Sequence, residues 1–429
     1  MFSSLHTGCT VVPSSSRGVS SKVSSDTATI KEILGRGPAH PFPARMAPGI
    51  ALDVLGSART RLRILDPMMG SGTVLAVARA RGHRAIGYDI DPLSVLIASV
   101  WTRSIDEAAV SKKAKDVLSR AQVIFGSSDD DYPKNSDDET RRFMRYWFDK
   151  KCRRQLTALS QAIDRVRDTA IRDVLWCGFS RLIITKQAGA SRALDLSHSR
   201  PHRVFASAPQ DPFENFLRLV AVVAKNCPAR GATGLGPSTI TRRGDARKLS
   251  LKDSSIDLVL TSPPYLNAID YLRTSKFSLV WMGYTISELR SIRANSVGSE
   301  RSTREARETL WIDKLVKDLL GRSTLAHRER SLFAQYALDM SRALAETSRV
   351  LINRGRAVYV VGDSNIRGTF VKNSNLLEAL AEIHGFSLYS RSERALPPNR
   401  RYLPPPARAD SGSINSRMRR EIILTFKKR

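Results

Sequence analysis

An aliphatic run that stops at an acid, turns on glycine and resumes as a helix leaves few folds open, and residues 62 to 90 form such a run. LRILD at 62 to 66 has the length and composition of a buried strand. Pro67 ends it, because proline has no amide hydrogen and fixes its own φ. Gly70 and Gly72 then let the backbone turn tightly and approach a ligand before a helix that starts near Thr73 in TVLAVARARG. A second strand, RAIGYDI, follows at 84 to 90. Strand, glycine turn, helix and strand make a βαβ unit, which predicts a parallel sheet with helices on its faces. Helices are expected before it, from about Ala47 to Ser57, and after it in PLSVLIASVWTRSI.

The 429 residues supply core for two or three domains, and an apolar fraction of 41% is ordinary for a globular chain. Four cysteines, Cys9, Cys152, Cys177 and Cys227, are scattered without CxxC spacing or nearby histidines, which argues against a zinc site and a disulfide framework. A reducing, cytoplasmic setting fits best. No apolar run reaches the length of about 18 residues that crosses a bilayer, so no membrane span is expected. The formal charge is +28, from 69 Lys and Arg against 41 Asp and Glu. Such an excess points to a polyanionic partner, since neutralising phosphates releases counterions and drives binding.

Residues 1 to 27 are rich in serine and poor in acids and read as disordered. From about Asp106 to Arg243 the pattern becomes helical, with no strand alternation, and SSDDDYPKNSDDE at 127 to 139 reads as a solvated acidic loop. Asp211 ahead of Pro212 is an expected N-cap. Strands resume with SIDLVLTS at 255 to 262 and RAVYVVGDS at 356 to 364, and REIILTFKK at 420 to 428 closes the sheet. A second polar helical excursion covers about 285 to 325, ahead of a helix that carries Leu332, Phe333, Tyr336, Met340 and Leu344 on one face.

The glycine turn alone could hold a dinucleotide, but it lacks the third glycine of GxGxxG. The string DPMMGSGT resembles the S-adenosylmethionine loop of the amino-methyltransferases. That resemblance implies Asp66, Pro67, Gly70, Ser71, Gly72 and Thr73 around the methionine moiety, with Asp89 on the ribose hydroxyls. Met68 and Met69 depart from the family's usual aromatic-containing pair, a change expected to alter packing under the loop more than cofactor binding. By the same resemblance Asp245, in RRGDARKLSL, would contact the cofactor's adenine, and Arg45, in HPFPARMAP, its amino-acid end.

Two consecutive prolines after LVLTS cannot continue a central strand, which makes TSPPY at 261 to 265 a rigid turn at a strand end. It is similar to the proline motif of DNA methyltransferases that modify an exocyclic amine. An aromatic amine is a poor nucleophile because its lone pair is delocalised. The resemblance implies that the Ser262 side chain and the Pro263 carbonyl accept its protons, with Pro264 stiffening the turn and Tyr265 offering a face to a flipped base. The loop DLSHSRPHRVF brings His198, Arg200, His202 and Arg203 together, a set suited to phosphates rather than metal, because no carboxylate or cysteine joins the histidines. Arg400 and Arg401, among prolines at 396 to 409, fit a nucleic-acid-facing strap or a plain linker. A cytosine C5 mechanism would need a nucleophilic cysteine in a motif, and Cys227-Pro228 is not one.

The sequence therefore reads as an α/β chain: a Rossmann-like methyltransferase with a mostly parallel sheet flanked by helices, plus helical insertions. Residues 28–105 and 242–429 form the catalytic domain. Residues 106–241 are the candidate target-recognition insertion, and 285–325 a second one. S-adenosylmethionine is the expected cofactor, double-stranded DNA the partner, and no metal is expected. The expected reaction is methyl transfer to N4 of cytosine, as in restriction–modification. Adenine N6, a tRNA guanine N2 and non-catalytic binding stand as alternatives.

Overall fold

The computed structural model describes residues 29–42, 46–56, 58, 60–197, 201–229, 239–266, 271–298, 306–320, 326–366, 369–395 and 420–429. Helices α1 (Ile30–Leu34) and α2 (Pro48–Gly56) precede the βαβ unit of β1 (Arg63–Asp66), α3 (Thr73–Ala80) and β2 (Arg84–Asp89). Next come α4 (Pro92–Thr102), α5 (Glu107–Ser127), α6 (Asp138–Trp147), α7 (Lys150–Asp164), α8 (Thr169–Ile183) and α9 (Pro212–Lys225). The chain returns to the sheet as β3 (Thr239–Arg243) and β4 (Ile256–Thr261). Helices α10 (Leu272–Leu279), α11 (Ile286–Ala294), α12 (Ala306–Leu320) and α13 (His327–Val350) lead to β5 (Leu351–Val361). A small hairpin, β6 (Ser364–Ile366) and β7 (Thr369–Val371), comes before α14 (Asn373–Ile383), β8 (Phe386–Ala395) and β9 (Arg420–Lys428).

The main sheet has seven strands in the order β3-β2-β1-β4-β5-β9-β8. Strands β3, β2, β1, β4 and β5 pair in parallel, and β9 runs antiparallel to both β5 and β8. This is the Rossmann-like fold with a mostly parallel sheet. Its order reverses between β1 and β4, because the chain fills one half outward from β1 before starting the other. In an open α/β sheet, such a switch point leaves a crevice at the carboxyl ends of the strands.

The strands are apolar on both faces because both are covered. Ile64, Leu258, Leu260, Val358 and Val360 pack on one side with α2 and α3, through Ile50, Leu55, Val74 and Leu75. Leu65, Val259, Ala357 and Tyr359 alternate with them and pack on the other side with Phe333, Met340, Leu344 and Leu377 of α13 and α14. A third core lies among α4 to α10, built around Trp101, Phe148, Phe179, Phe216, Phe277 and Trp281. Each helix from α4 to α9 opens on an aspartate, Asp91, Asp106, Asp137, Asp149, Asp168 and Asp211, whose side chain accepts from a first-turn amide.

Three local features differ from the sequence-based expectation. Residues 239–243 form a strand where only helices were expected, so a boundary at 242 cuts β3. It is an edge strand whose one aliphatic residue, Ile240, is exposed, and it has no alternation to read. The opposite edge, β8, escaped for the same reason, since only Phe386 and Arg394 of its residues are buried. The acidic loop is solvated at Asp129, Asp130, Lys134 and Asn135 but pinned in its middle: Asp131 takes two bonds from Arg153, at 2.7 and 3.0 Å, and Arg141 and Arg153 lie over the Tyr132 ring. The Ser-rich residues 1–27 lie outside the described residues.

Helices α8 and α9 approach closely at Gly178, where an added Cβ would lie 2.5 Å from Val220 Cγ2 and 3.0 Å from Val220 Cα. Gly178→Ala should therefore cost about 1–3 kcal/mol in urea denaturation. Gly126→Ala on α5, with nothing within 4 Å of the new atom, should be neutral or stabilising by about 0.5 kcal/mol.

Candidate active site

The loop after β1 and the turn after β4 face each other across the switch point. Asp66, the last residue of β1, is 3% exposed, and Thr261, the last of β4, is fully buried. The Thr261 hydroxyl donates to Asp66 Oδ1 at 2.7 Å, and the Met68 amide donates to the same oxygen at 3.2 Å. Burial pushes the Asp66 carboxyl up to about 7, against those two bonds, and the charge of Asp89 adds to the rise.

From Pro67 the backbone doubles back over β2. Met69 N donates to Tyr88 O at 2.9 Å, and Gly72 N to Met69 O at 2.8 Å. Gly70 and Gly72 have φ of 50° and 86°, a region that side chains disfavour. At Gly72 an added Cβ would also stand 2.8 Å from Ala98 Cβ. Under the loop, a Cβ added to Gly87 would stand 2.4 Å from the Met69 sulfur, so Met69 packs against a position that glycine leaves open. Ser71 and Thr73 are buried at the start of α3, and the Ser71 hydroxyl has no hydrogen-bond partner among the described residues.

Asp89 closes β2 and holds this loop from below. Its carboxylate accepts from Gly70 N and from Asp91 N, each at 2.9 Å. Burial and the charge of Asp91 raise its affinity for a proton, against bonds from the Asp91, Gly70 and Ile90 amides. Asp91 is itself the α4 cap and accepts from Ser275 of α10 at 2.5 Å, which ties the helix after the proline turn to the end of β2. The next strand end carries Asp245. Asp89 pairs in register with Arg243, and Gly244 N donates to Asp89 O at 3.0 Å. The Asp245 carboxylate is taken up by Arg247, with contacts of 2.7 to 3.1 Å, and Arg247 bridges to the buried Asp339 at 2.6 Å. Asp66, Asp89 and Asp245 thus stand near the carboxyl ends of three adjacent strands.

Ser262 and Tyr265 are half-buried and Pro263 is buried. The Ser262 hydroxyl donates to Tyr265 Oη at 3.5 Å, and Tyr265 Oη donates to Glu421 Oε1 at 3.2 Å. Glu421 pairs with Arg394 at 3.3 Å, and both are buried. His202 and Arg203 are exposed, with the Arg203 guanidinium 5.4 Å from the Tyr146 ring centroid. Their loop is tied to the helix after the proline turn, because Thr274 Oγ1 donates to Leu196 O at 3.1 Å. Arg45, His198, Arg200, Arg400 and Arg401 lie outside the described residues.

Thr261, Asp91, Arg394 and Glu421 were not singled out from the sequence. An available signal was Glu421 directly ahead of the aliphatic run Ile422, Ile423 and Leu424, since a carboxylate there needs a partner if buried. Cys152, Cys177 and Cys227 are buried free thiols, all pushed up by burial, so none is poised as a thiolate nucleophile. Among the described residues, no group of three or more His, Cys, Asp or Glu could hold a metal ion, and no helix is long and apolar enough to cross a membrane.

No protein-family description matches the chain. It is 22% identical over 419 residues to the Type II methyltransferase M.MvaI of Kocuria varians, an alignment that covers 90% of each protein. It is 32% identical over 95 residues to the Type II methyltransferase M.MjaII of Methanocaldococcus jannaschii, covering 22% of this chain and 18% of that protein. Among solved structures, a methyltransferase from Methanosarcina mazei aligns over 88% of this chain and 96% of its own, with 9% identity and a TM-score of 0.32. The fold assignment rests on the strand order of this chain itself.

A buried carboxyl held above its ordinary value of about 4 contributes stability that is full below that value and is lost as pH rises through its folded value. The stability of the protein relative to Asp66→Asn should therefore fall between about pH 4 and pH 7 and level off above. Urea denaturation across this range checks it, and a difference that grows with pH would overturn the assignment.

Proposed function

We propose that this protein is a DNA methyltransferase that transfers the methyl group of S-adenosylmethionine to an exocyclic amine of a flipped base, N4 of cytosine. The observation that carries the reading is the placement of the glycine loop and the proline turn on adjacent strand ends, joined by the Thr261–Asp66 bond at the switch point. The similarity to a Type II methyltransferase over nine-tenths of both chains supports it, and so does the net charge of +28.

The residues fit such a cofactor. The glycines leave room for close backbone approach, Ser71 offers an unpartnered buried hydroxyl, and Asp89 offers carboxylate oxygens at the next strand end. S-adenosylmethionine, when bound, supplies an electrophilic methyl on a sulfonium. Asp66, Pro67, Gly70, Ser71, Gly72 and Thr73 would hold its amino-acid end with Arg45, Asp89 its ribose and Asp245 its adenine. Because Arg247 already engages Asp245, that last contact requires the pair to share or yield.

Ser262 Oγ and the Pro263 carbonyl would accept the amine protons and draw the nitrogen toward tetrahedral geometry, which frees its lone pair. Pro263 and Pro264 keep these acceptors in place before the reaction begins, so no reorganisation is needed at the transition state. Tyr265 would stack on the flipped base and return roughly 1–3 kcal/mol of the cost of extrusion. His198, Arg200, His202, Arg203, Arg400 and Arg401 would meet the phosphates. The helical residues 106–241 and 285–325 would divide target recognition. Their contact through Ile286 N and Thr140 Oγ1, at 3.0 Å, and the Arg290–Glu139 pair supports a shared surface. Serine at position 262 favours cytosine N4 by family resemblance.

Labelled S-adenosylmethionine and unmethylated DNA, followed by nucleoside mass spectrometry, test this. N4-methylcytosine is expected, with Ser262→Ala and Tyr265→Ala each at least about 10²-fold slower. N6-methyladenine would keep the mechanism and replace the base. Label in tRNA alone would overturn DNA as the substrate.

A further inference from the structure

The proposed transfer leaves one task without a residue, since a proton must leave the amine once its nitrogen carries the methyl. A serine can accept an amine hydrogen only if its own hydrogen points elsewhere. Here it points to Tyr265, which donates onward to Glu421, and Glu421 in turn accepts from Arg394 Nη1. The direction is fixed by chemistry at the far end, because a guanidinium only donates and an ionised carboxylate only accepts. Glu421 and Arg394 are 6% and 7% exposed and face each other in register across β9 and β8, so the carboxylate is held against the back of the proline turn.

We propose that Glu421 is the terminal proton acceptor of the methyl transfer, reached through the Ser262 and Tyr265 hydroxyls, and that Arg394 is its positioning residue. This rests on reading the site as an amino-methyltransferase centre. The nitrogen lone pair forms the N–C bond as the S–C bond breaks, and the electron pair of that bond stays on sulfur, which becomes a neutral thioether. The nitrogen proton passes to Ser262 Oγ, the Ser262 proton to Tyr265 Oη and the Tyr265 proton to Glu421 Oε1. One proton enters the relay, one arrives at the carboxylate, and the methylated amine is left neutral. Tyr265 thereby serves twice, with its ring face toward the base and its hydroxyl edge toward Glu421.

The alternative is an ion pair that only braces the sheet edge. Tyr265→Phe separates the two, since it keeps the ring and leaves both Glu421 and Arg394 and the bond between them in place, and Glu421→Gln keeps volume and an acceptor but cannot take a proton. Single-turnover transfer to DNA should fall on the order of 10²-fold in each variant. KM for DNA should stay within about twofold, and the double variant should be no slower than either single one. Their rates should rise with pH more steeply than that of the unmodified protein, as solvent takes over the proton. In the full chain without cofactor or DNA, the Tyr265 ¹³Cζ resonance, assigned by its loss in Tyr265→Phe, should move in Glu421→Gln. It should stay in place in Glu393→Gln, which alters only the exposed pair with Arg420 on the same two strands. Unchanged rates in either variant, losses that multiply in the double, or an unmoved resonance would overturn the relay. If the unmodified protein transfers no methyl to DNA, it is the reading of the site that falls.

Discussion

The hydrogen bond from Thr261 to Asp66 closes the place where the sheet is least able to hold itself. Strands β1 and β4 begin the two halves, and the paired positions between them are Ile64 with Leu258 and Leu65 with Val259. Beyond these the chains diverge into a glycine loop and a proline turn, neither of which offers a regular ladder. A side-chain bond of 2.7 Å to a buried carboxyl continues the pairing by one residue and sets the distance between the two motifs. The cost is a buried carboxyl bonded by no cation among the described residues, whose charge is held in check by a hydroxyl and an amide. Perturbed carboxyls of this kind gather where chemistry is done.

How much of this could be read beforehand follows from what each segment buries. The βαβ unit was legible because its strands are covered on both faces, which forces a continuous aliphatic run, and because the glycine turn has few conformational alternatives. Edge strands β3 and β8 carry no such constraint, and their residues resemble a loop. The partnership of Asp66 with Thr261 joins positions 195 apart, and that of Tyr265 with Glu421 joins positions 156 apart. No local pattern encodes such pairs. Of the phosphate-facing candidates only His202 and Arg203 fall within the described residues, on a loop whose place is fixed by Thr274 and Arg192 rather than by its own sequence.

The helical body explains a feature of the charge. Its aspartates cap helices or pair with arginines such as Arg153, and Asp245 and Asp339 are gathered around Arg247. An acid paired with an arginine cancels that arginine as well, so these pairs leave the net charge of +28 unchanged, and a polyanion approaching the chain meets that excess before any specific contact forms.

Strand β9 comes after both of its neighbours in the chain yet lies between them. While the chain is being made, the five parallel strands and both motifs are complete long before residues 420–428 emerge, and β8 has no strand to pair with until then. Placing this one antiparallel strand between β5 and β8 joins the two and brings Glu421 to Tyr265 in the same step. Structural completion and the back wall of the site therefore arrive together, and a chain arrested before that step would hold both motifs without the carboxylate behind them.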